Sequence, residues 1–155
     1  MKKILLCLLL VLLLSGCSNN SMNLVYTNDK EIANDSNSYN LTDDKQNIDG
    51  QVYTGEFEFE GMDTLWTYET DQDCKIDISY LLSLSRGKAK LVLITPDGAV
   101  TNIVENTDNS KQDELTTVSL SLLKGENRIK LIAANKAQIE LEVQIDQGDF
   151  EKLGW

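Results

Sequence analysis

The sequence predicts an all-β fold: a single sandwich of about eight antiparallel strands, of the jelly-roll or immunoglobulin-like type. Three observations indicate it. From residue 51 onward, apolar and polar residues alternate with the period of a half-buried strand. Turn residues recur about every 8 to 12 positions, and no stretch combines a helical period with caps. The pattern leaves the order of the strands open.

The first half of this domain contains four predicted strands. Phe57 and Phe59 belong to an apolar face, and glutamates alternate with them on the other face. Glycine-containing turns are predicted at residues 61–63 and 85–88, and a Pro-Asp-Gly turn at residues 95–98. The four strands are predicted at residues 53–60, 65–70, 74–85 and 89–95.

The second half contains four more predicted strands. Residues 105–114 form the longest polar loop, and turns are predicted at residues 124–127 and 135–136. Ile139 and Leu141 alternate with glutamates in the last strand, which has the clearest pattern in the chain. The strands are predicted at residues 99–104, 117–122, 128–133 and 138–145.

Two segments resemble β-sandwich accessory domains, such as carbohydrate-binding modules and convertase-type P-domains. GKAKLVLITPDGAV is similar to their strand-turn-strand unit, and LKGENRIKLIAANKAQIELEVQI to their closing hairpin. The resemblance implies the sandwich fold and carries little about function, because many unrelated functions share this architecture.

The chain begins with two lysines and 11 apolar residues, at positions 4–14. This run is too short for a membrane-spanning helix, which needs about 20 residues, and it has the length of a secretory signal segment. The residues that follow, Leu14-Ser15-Gly16-Cys17, resemble the lipobox of bacterial lipoproteins. That resemblance implies removal of residues 1–16 and a diacylglycerol on Cys17. The alternative is an ordinary signal peptide with a chance cysteine.

Residues 17–50 are rich in Asn, Asp and Ser and show no sustained period. Such a segment buries too little apolar surface to offset its ordering entropy. We therefore predict a lipid-anchored flexible linker, about 30 Å long as a coil, before a domain at residues 51–155. The alternative for residues 23–26 is an edge strand docked on that domain.

The charge and the residue types exclude several functions. The net charge is −11, and the chain without its first 16 residues has 12 basic against 25 acidic residues, or −13. Such a surface repels nucleic acid. The chain contains no histidine, so Ser-His-Asp and Cys-His catalysis are excluded. Alternation places Glu56, Glu58 and Glu60 on a solvent face rather than in a cleft. We therefore predict a protein that is not an enzyme.

The candidate ligand-binding residues are Trp66, Tyr68 and Trp155. A flat aromatic ring on a sandwich face stacks on sugars, but the same residues also suit a core. Thr67 and Glu69 alternate with Trp66 and therefore belong to the opposite, polar face of the strand. This pattern favours an inward Trp66 ring. Cys74 lies on the same strand face as two isoleucines, as a buried free cysteine does.

Calcium is the metal that the sequence suits best, because oxygen ligands are abundant and histidine is absent. Asp108, Asp113 and Glu114 in the longest loop are the candidate ligands, although they lack EF-hand spacing. Apart from calcium and the diacylglycerol on Cys17, no cofactor is expected.

These features together predict a membrane-anchored extracytoplasmic lipoprotein with a non-catalytic binding domain for a glycan or a protein. Two alternatives remain: a structural or interaction lipoprotein of the cell envelope that acts through its acidic face, and a calcium-binding accessory domain. The anchor belongs to the outer leaflet of the cytoplasmic membrane in a Gram-positive cell and to the outer membrane in a Gram-negative cell.

The lipobox interpretation predicts the outcome of Cys17→Ala. The variant loses the thiol that carries the lipid, so processing after Gly16 stops and the diacylated N-terminus disappears. Mass spectrometry of the membrane fraction checks this. A wild-type chain that is cleaved elsewhere and carries no lipid on Cys17 contradicts the interpretation.

Overall fold

The computed structural model describes residues 21–155, so the predicted signal peptide and Cys17 lie outside the described residues. In this part of the chain no helix is long and apolar enough to cross a membrane. Two short helices precede seven strands. The elements are α1 (Ser21–Tyr26), α2 (Asp29–Ile32), β1 (Ser38–Asp49), β2 (Val52–Thr70), β3 (Cys74–Ile94), β4 (Val100–Thr107), β5 (Thr116–Leu122), β6 (Gly125–Gln144) and β7 (Asp149–Phe150).

All strand pairs are antiparallel, and the main order is β1-β2-β6-β3-β4. The central strand, β6, pairs with β2 on one side and with β3 on the other. Two shorter strands complete the edges: β5 pairs with the first part of β3, and β7 pairs with β2. The sheet therefore depends on three long strands of 19 to 21 residues each.

The three long strands bend at matching positions. Gly61 in β2 has φ +113°, Gly87 in β3 has φ +79°, and Asn135 and Lys136 in β6 have φ +64° and +49°. The pairing register shifts at each of these places. Backbone that is locally left-handed forms a bulge, and a bulge redirects a strand without ending it. The aligned bulges therefore fold one sheet into two layers, as in sandwiches whose strands pass from layer to layer at a corner.

The two layers are named here by the residues on each side of the bend. Layer 1 contains β1, β5 and residues 52–59, 74–86 and 137–144. Layer 2 contains β4, β7 and residues 61–70, 88–94 and 125–134. Alternate side chains of both layers enter one core, which includes Tyr53, Phe59, Trp66, Leu82 and Leu131, each exposed by no more than 1%. The prediction of one all-β sandwich domain is confirmed.

Three predicted turns differ from the structure. Residues 61–63, 85–88 and 135–136 were expected to reverse the chain, but they lie in bends inside β2, β3 and β6. The glycines and the Asn-Lys pair supply positive φ in either case, so the local signal is the same for a turn and for a bulge. Pairing with neighbours on both sides of the bend decides between them, and this pairing is not local.

The predicted linker at residues 17–50 is wrong where the structure describes it. β1 pairs with β2 from Ser38 to Asp49, and α1 and α2 pack on the outer face of layer 2. Tyr26 and Ile32 fill a second apolar cluster there, together with residues that include Met62, Val92 and Ile132. Because residues 17–50 are mostly polar, their composition gave no signal for these few apolar contacts. Residues 23–26 lie in α1, not in an edge strand.

Two buried or half-buried cations of β6 fix the segment between α2 and β1. Lys130 is fully buried, and its Nζ donates to the carbonyl oxygens of Asn34 at 2.6 Å and Ser36 at 3.0 Å. Arg128 donates to the Ala33 carbonyl at 2.9 Å and pairs with Asp35. Loss of solvent, and to a lesser degree the charge of Arg128, lower the pKa of Lys130 to about 8.

Gly87→Ala tests the corner. A Cβ at Gly87 would lie 2.7 Å from the Ala137 Cα and 2.8 Å from the Ala134 carbonyl oxygen. Gly98 has almost the same φ, +80°, but no atom within 4 Å of such a Cβ. We expect Gly98→Ala to lower the free energy of unfolding by about 1 kcal/mol and Gly87→Ala by at least about 3 kcal/mol. Urea unfolding measures both, and equal losses contradict the assignment of the corner.

Lys130→Met tests the lowered pKa. Between pH 8 and about 10 the unfolded chain holds the Lys130 proton that the folded chain has lost, so wild-type stability gains a component that rises with pH. Above about pH 10 the raised pKa values of buried Tyr26 and Tyr53 act in the opposite direction. We expect the unfolding free energy of the wild type, relative to Lys130→Met, to rise by about 1–2 kcal/mol from pH 7.5 to 9.5. Urea unfolding of both proteins at these two pH values is the measurement. The exposed Lys75→Met is the control, and a flat difference for Lys130→Met rejects the shift.

Candidate functional site

Trp66 lies in the core and has no free face for a ligand. It is fully buried, and its indole Nε1 donates to the Gln147 carbonyl at 2.8 Å. Tyr68 is half-buried beside it, with the ring centroids 6.0 Å apart. Of the two interpretations of this pair, the structure supports core packing, which removes Trp66 from the candidate binding residues.

Trp155 is 92% exposed at the end of a C-terminal tail. The tail itself is fixed at the edge of the sandwich. Leu153 is fully buried, its backbone N–H donates to Gln46 Oε1 at 2.7 Å, and the Gly154 N–H donates to Asp63 Oδ2 at 2.7 Å. Burial raises the pKa of Asp63, although the N–H groups of Gly154 and Thr64, which donate to its carboxylate, oppose the shift. Leu153 therefore closes the core, and Trp155 projects beyond it.

The candidate calcium ligands have other contacts. Asp108 accepts a hydrogen bond from the Gly87 N–H, so it holds the bend of β3. Asp113 lies 3.2 Å from Lys111 Nζ, and Glu114 is exposed. Within residues 21–155 no three His, Cys, Asp or Glu side chains are grouped so that they could hold a metal ion.

A groove lies on the outer face of layer 1, and its volume is about 890 Å³. Glu56, Ser83, Gln138 and Glu140 lie along its floor, on the three long strands. A second depression of about 510 Å³ adjoins it and shares Glu56 and Glu140. We call the two together the acidic groove.

Two walls border the acidic groove. One is the bulge of β1 at residues 43–45, where Asp43 has φ +54° and the register with β2 shifts. The other is the loop at residues 109–111, fixed to β3 by a hydrogen bond of 2.7 Å from the Leu84 N–H to the Ser110 carbonyl. Acidic residues outnumber basic ones around the groove: Asp43, Asp44, Glu56, Glu140 and Glu142 against Lys45 and Lys111.

Glu56 and Glu140 are directly opposite each other on adjacent strands. Side chains in such a pair have Cβ atoms about 4.5–5.5 Å apart, and like charges there destabilise the sheet. Lys45 Nζ lies 3.3 Å from Glu56 Oε2, but both side chains are largely exposed and such a pair is weak. Glu140 has no salt bridge within residues 21–155.

Glu58, one row nearer the corner, is compensated. Its Oε2 accepts from Arg86 Nη2 at 2.7 Å and from Gln138 Nε2 at 2.9 Å. Arg86 Nε also donates to the Lys136 carbonyl at 3.0 Å, which ties the bends of β3 and β6 together. Glu58 therefore contributes to the corner, and Glu56, paired with the exposed Lys45, and Glu140 remain as the opposed carboxylates of the groove.

The sequence reasoning missed this site for two reasons. It placed Glu56 on a solvent face, which is correct, but the opposition to Glu140 appears only when β2 is paired with β6. It also assigned the wall at residues 43–45 to a flexible linker. The alternation at residues 138–144 was the one local signal, since it put Glu140 on an outer face.

Residues 1–18 match the family model described as the prokaryotic membrane lipoprotein lipid attachment site. The match contains the predicted lipobox at residues 14–17 and confirms the resemblance. The chain is thus a lipid-anchored membrane lipoprotein exposed outside the cytoplasm. A comparison with curated proteins found no match.

Comparison with solved structures found distant similarities. A family 29 carbohydrate-binding module has a TM-score of 0.39 and 12% identity, over 73% of this chain and 78% of that chain. A carbohydrate-binding module of Cellvibrio mixtus lichenase 5A, in complex with cellotriose, has a TM-score of 0.38 and 12% identity, over 71% and 91%. A cupin domain from Bordetella pertussis has a TM-score of 0.24 and 13% identity, over 71% and 93%. Similarity at this level carries no argument about the ligand of this chain.

Proposed function

We propose that this lipoprotein is a non-catalytic binding protein of the cell envelope. Its acidic groove binds a positively charged ligand, a segment of an envelope protein rich in Lys and Arg. The observation that carries the proposal is the opposed pair Glu56 and Glu140 on the floor of the groove, where no cation of the described chain compensates Glu140.

The physical argument starts from the cost of the pair. Directly opposed like charges destabilise a sheet, at a cost comparable to the roughly 0.2–1 kcal/mol by which a favourable cross-strand pair stabilises it. A bound ammonium or guanidinium group turns this repulsion into attraction. Arg suits the site especially well, because its planar group donates two parallel hydrogen bonds to a carboxylate. Asp43 and Asp44 on the wall add to the negative potential that steers a cationic segment into the groove.

The geometry favours binding over catalysis. Glycosidase carboxylates flank the bond that they cleave, with the acid and its partner on different sides of the sugar. Glu56 and Glu140 extend from the same face of one sheet, so they approach a ligand from the same side. This arrangement suits charge recognition.

The groove favours a cationic segment over a glycan. Its floor and walls offer carboxylates, amides and hydroxyls, which also bind sugars. Its lining, however, contains no Trp or Tyr, and the one aromatic residue there, Phe57, is 3% exposed. A stacking platform for a sugar ring is therefore missing within the groove.

The double variant Glu56→Gln/Glu140→Gln tests the proposal. We use the mature chain with Cys17→Ser, which removes the lipid and keeps every described residue. Fluorescence anisotropy with a labelled oligo-lysine peptide should show salt-sensitive binding, since the contact is between exposed charges. We expect the double variant to bind about fivefold to tenfold more weakly, or about 1–1.4 kcal/mol.

Glu69→Gln/Glu126→Gln is the matched control. Glu69 is also directly opposite a glutamate, Glu126, but this pair does not line the groove. The control therefore removes an opposed pair and makes the net charge less negative by the same two units without touching the site, and its peptide affinity should equal that of the wild type. Equally weakened peptide binding in both variants would show that the affinity depends only on net charge, and it would contradict the proposal. Saturable binding on a glycan array, with none to the peptide, would identify the groove as a carbohydrate site instead.

A further inference from the structure

The lipid attachment site and the folded domain are separated by very little chain. Four peptide steps join Cys17 to Ser21, where α1 begins. A chain extends by at most about 3.6 Å per residue, so these residues span no more than about 14 Å. Most of the linker that the sequence predicted is instead occupied by α1, α2 and β1.

The end of α1 is fixed to layer 2. Tyr26 is 3% exposed, and its hydroxyl donates to Glu105 Oε1 of β4 at 2.8 Å. The Lys88 Nζ lies 4.2 Å from the centre of its ring. The contacts of Arg128 and Lys130 with residues 33–36 hold the chain that follows. The attachment point is therefore within about 14 Å of the start of α1, whose end packs on the outer face of layer 2.

The residues next to the lipid suit a bilayer surface. Residues 4–28 contain no charged side chain, in a chain that is 25% charged, and twelve of these residues, 17–28, follow the cleavage site. Within α1, Leu24 is 67% exposed. An apolar helix face beside a lipid anchor inserts at the boundary between headgroups and acyl chains.

We propose that the domain lies directly against its membrane, with α1 on the bilayer surface and Leu24 inserted into it. The occupant of the surface around Leu24 is the lipid bilayer that holds the diacylglycerol of Cys17. The inference rests on the lipid attachment site and on the docking of α1, and it is independent of the ligand of the acidic groove.

The layer order then determines the orientation of the molecule. From one side to the other, the structure has the outer face of layer 1, the shared core, layer 2, and the helices with the second apolar cluster. With α1 on the membrane, the acidic groove opens on the side facing away from the lipid. The groove is therefore accessible to a partner in the envelope, and not to lipid headgroups.

Site-directed spin labelling tests the orientation. The full, lipid-modified chain, with Cys74→Ser to leave one free thiol, is reconstituted in vesicles of phosphatidylethanolamine and phosphatidylglycerol. Labels are placed at Leu24→Cys and, as the matched control, at Leu115→Cys, an exposed leucine in the loop before β5 in layer 1. Collision with oxygen and with a water-soluble nickel chelate measures depth. We expect a severalfold higher ratio of oxygen to nickel accessibility at residue 24 than at residue 115.

A second variant shows whether burial of the label at residue 24 depends on the short distance between the lipid anchor and the domain. A Gly/Ser spacer of about 30 residues, inserted after Asn20, allows the domain to move about 30 Å from its anchor. The label at residue 24 should then become nearly as accessible to nickel as the label at residue 115. Equal nickel accessibility at the two positions in the chain without the spacer would overturn the proposal.

Discussion

The alignment of bends across β2, β6 and β3 is the constraint on which the rest of the structure depends. A bulge in one strand alone would leave its neighbours straight and break the hydrogen-bond ladder. Here Gly61, Gly87 and the Asn135–Lys136 pair bend three neighbours together, so pairing continues through the corner into both layers. The shared core and the two outer faces both follow from it. Arg86 and Asp108 reinforce the corner through backbone groups of Lys136 and Gly87.

The two outer faces of the sandwich serve different purposes because their residues differ. The outer face of layer 2 has Met62, Val92 and Ile132, and the N-terminal helices cover it. The outer face of layer 1 has Glu56, Gln138 and Glu140 and stays open. One face is therefore covered by the chain's own N-terminal helices, and the other is uncovered in the described part of the chain. The lipid attachment site at residues 1–18 immediately precedes the helices that cover layer 2, so the covered face is the one nearer to the lipid anchor along the chain.

The fold class could be predicted from the sequence because alternation is local. Ile139, Leu141 and Val143 indicate the inward face of their strand by their spacing alone, whichever strands lie next to them. The lipobox is likewise a pattern of four consecutive residues. What the sequence could not show depends on pairing. The same glycine signal serves a turn and a bulge, so residues 85–88 were assigned to a turn. The acidic groove depends on Glu56 meeting Glu140, which are 84 positions apart in the chain. β1 was missed because it has only three apolar residues, Tyr39, Leu41 and Ile48, and each is only partly buried against the core.

The central position of β6 has a consequence for how the chain folds. β2 and β3 are consecutive in the chain but do not form a hairpin with each other, because β6 lies between them. The two most extensive pairings, β2 with β6 and β3 with β6, therefore wait for residues 125–144. Folding that depends on such distant contacts is slow, because closing a long loop costs entropy before the paired strands can stabilise the chain. The two halves of the sandwich, β1 with β2 and β3 with β4 and β5, are joined to each other only when residues 125–144 are available to pair with both β2 and β3.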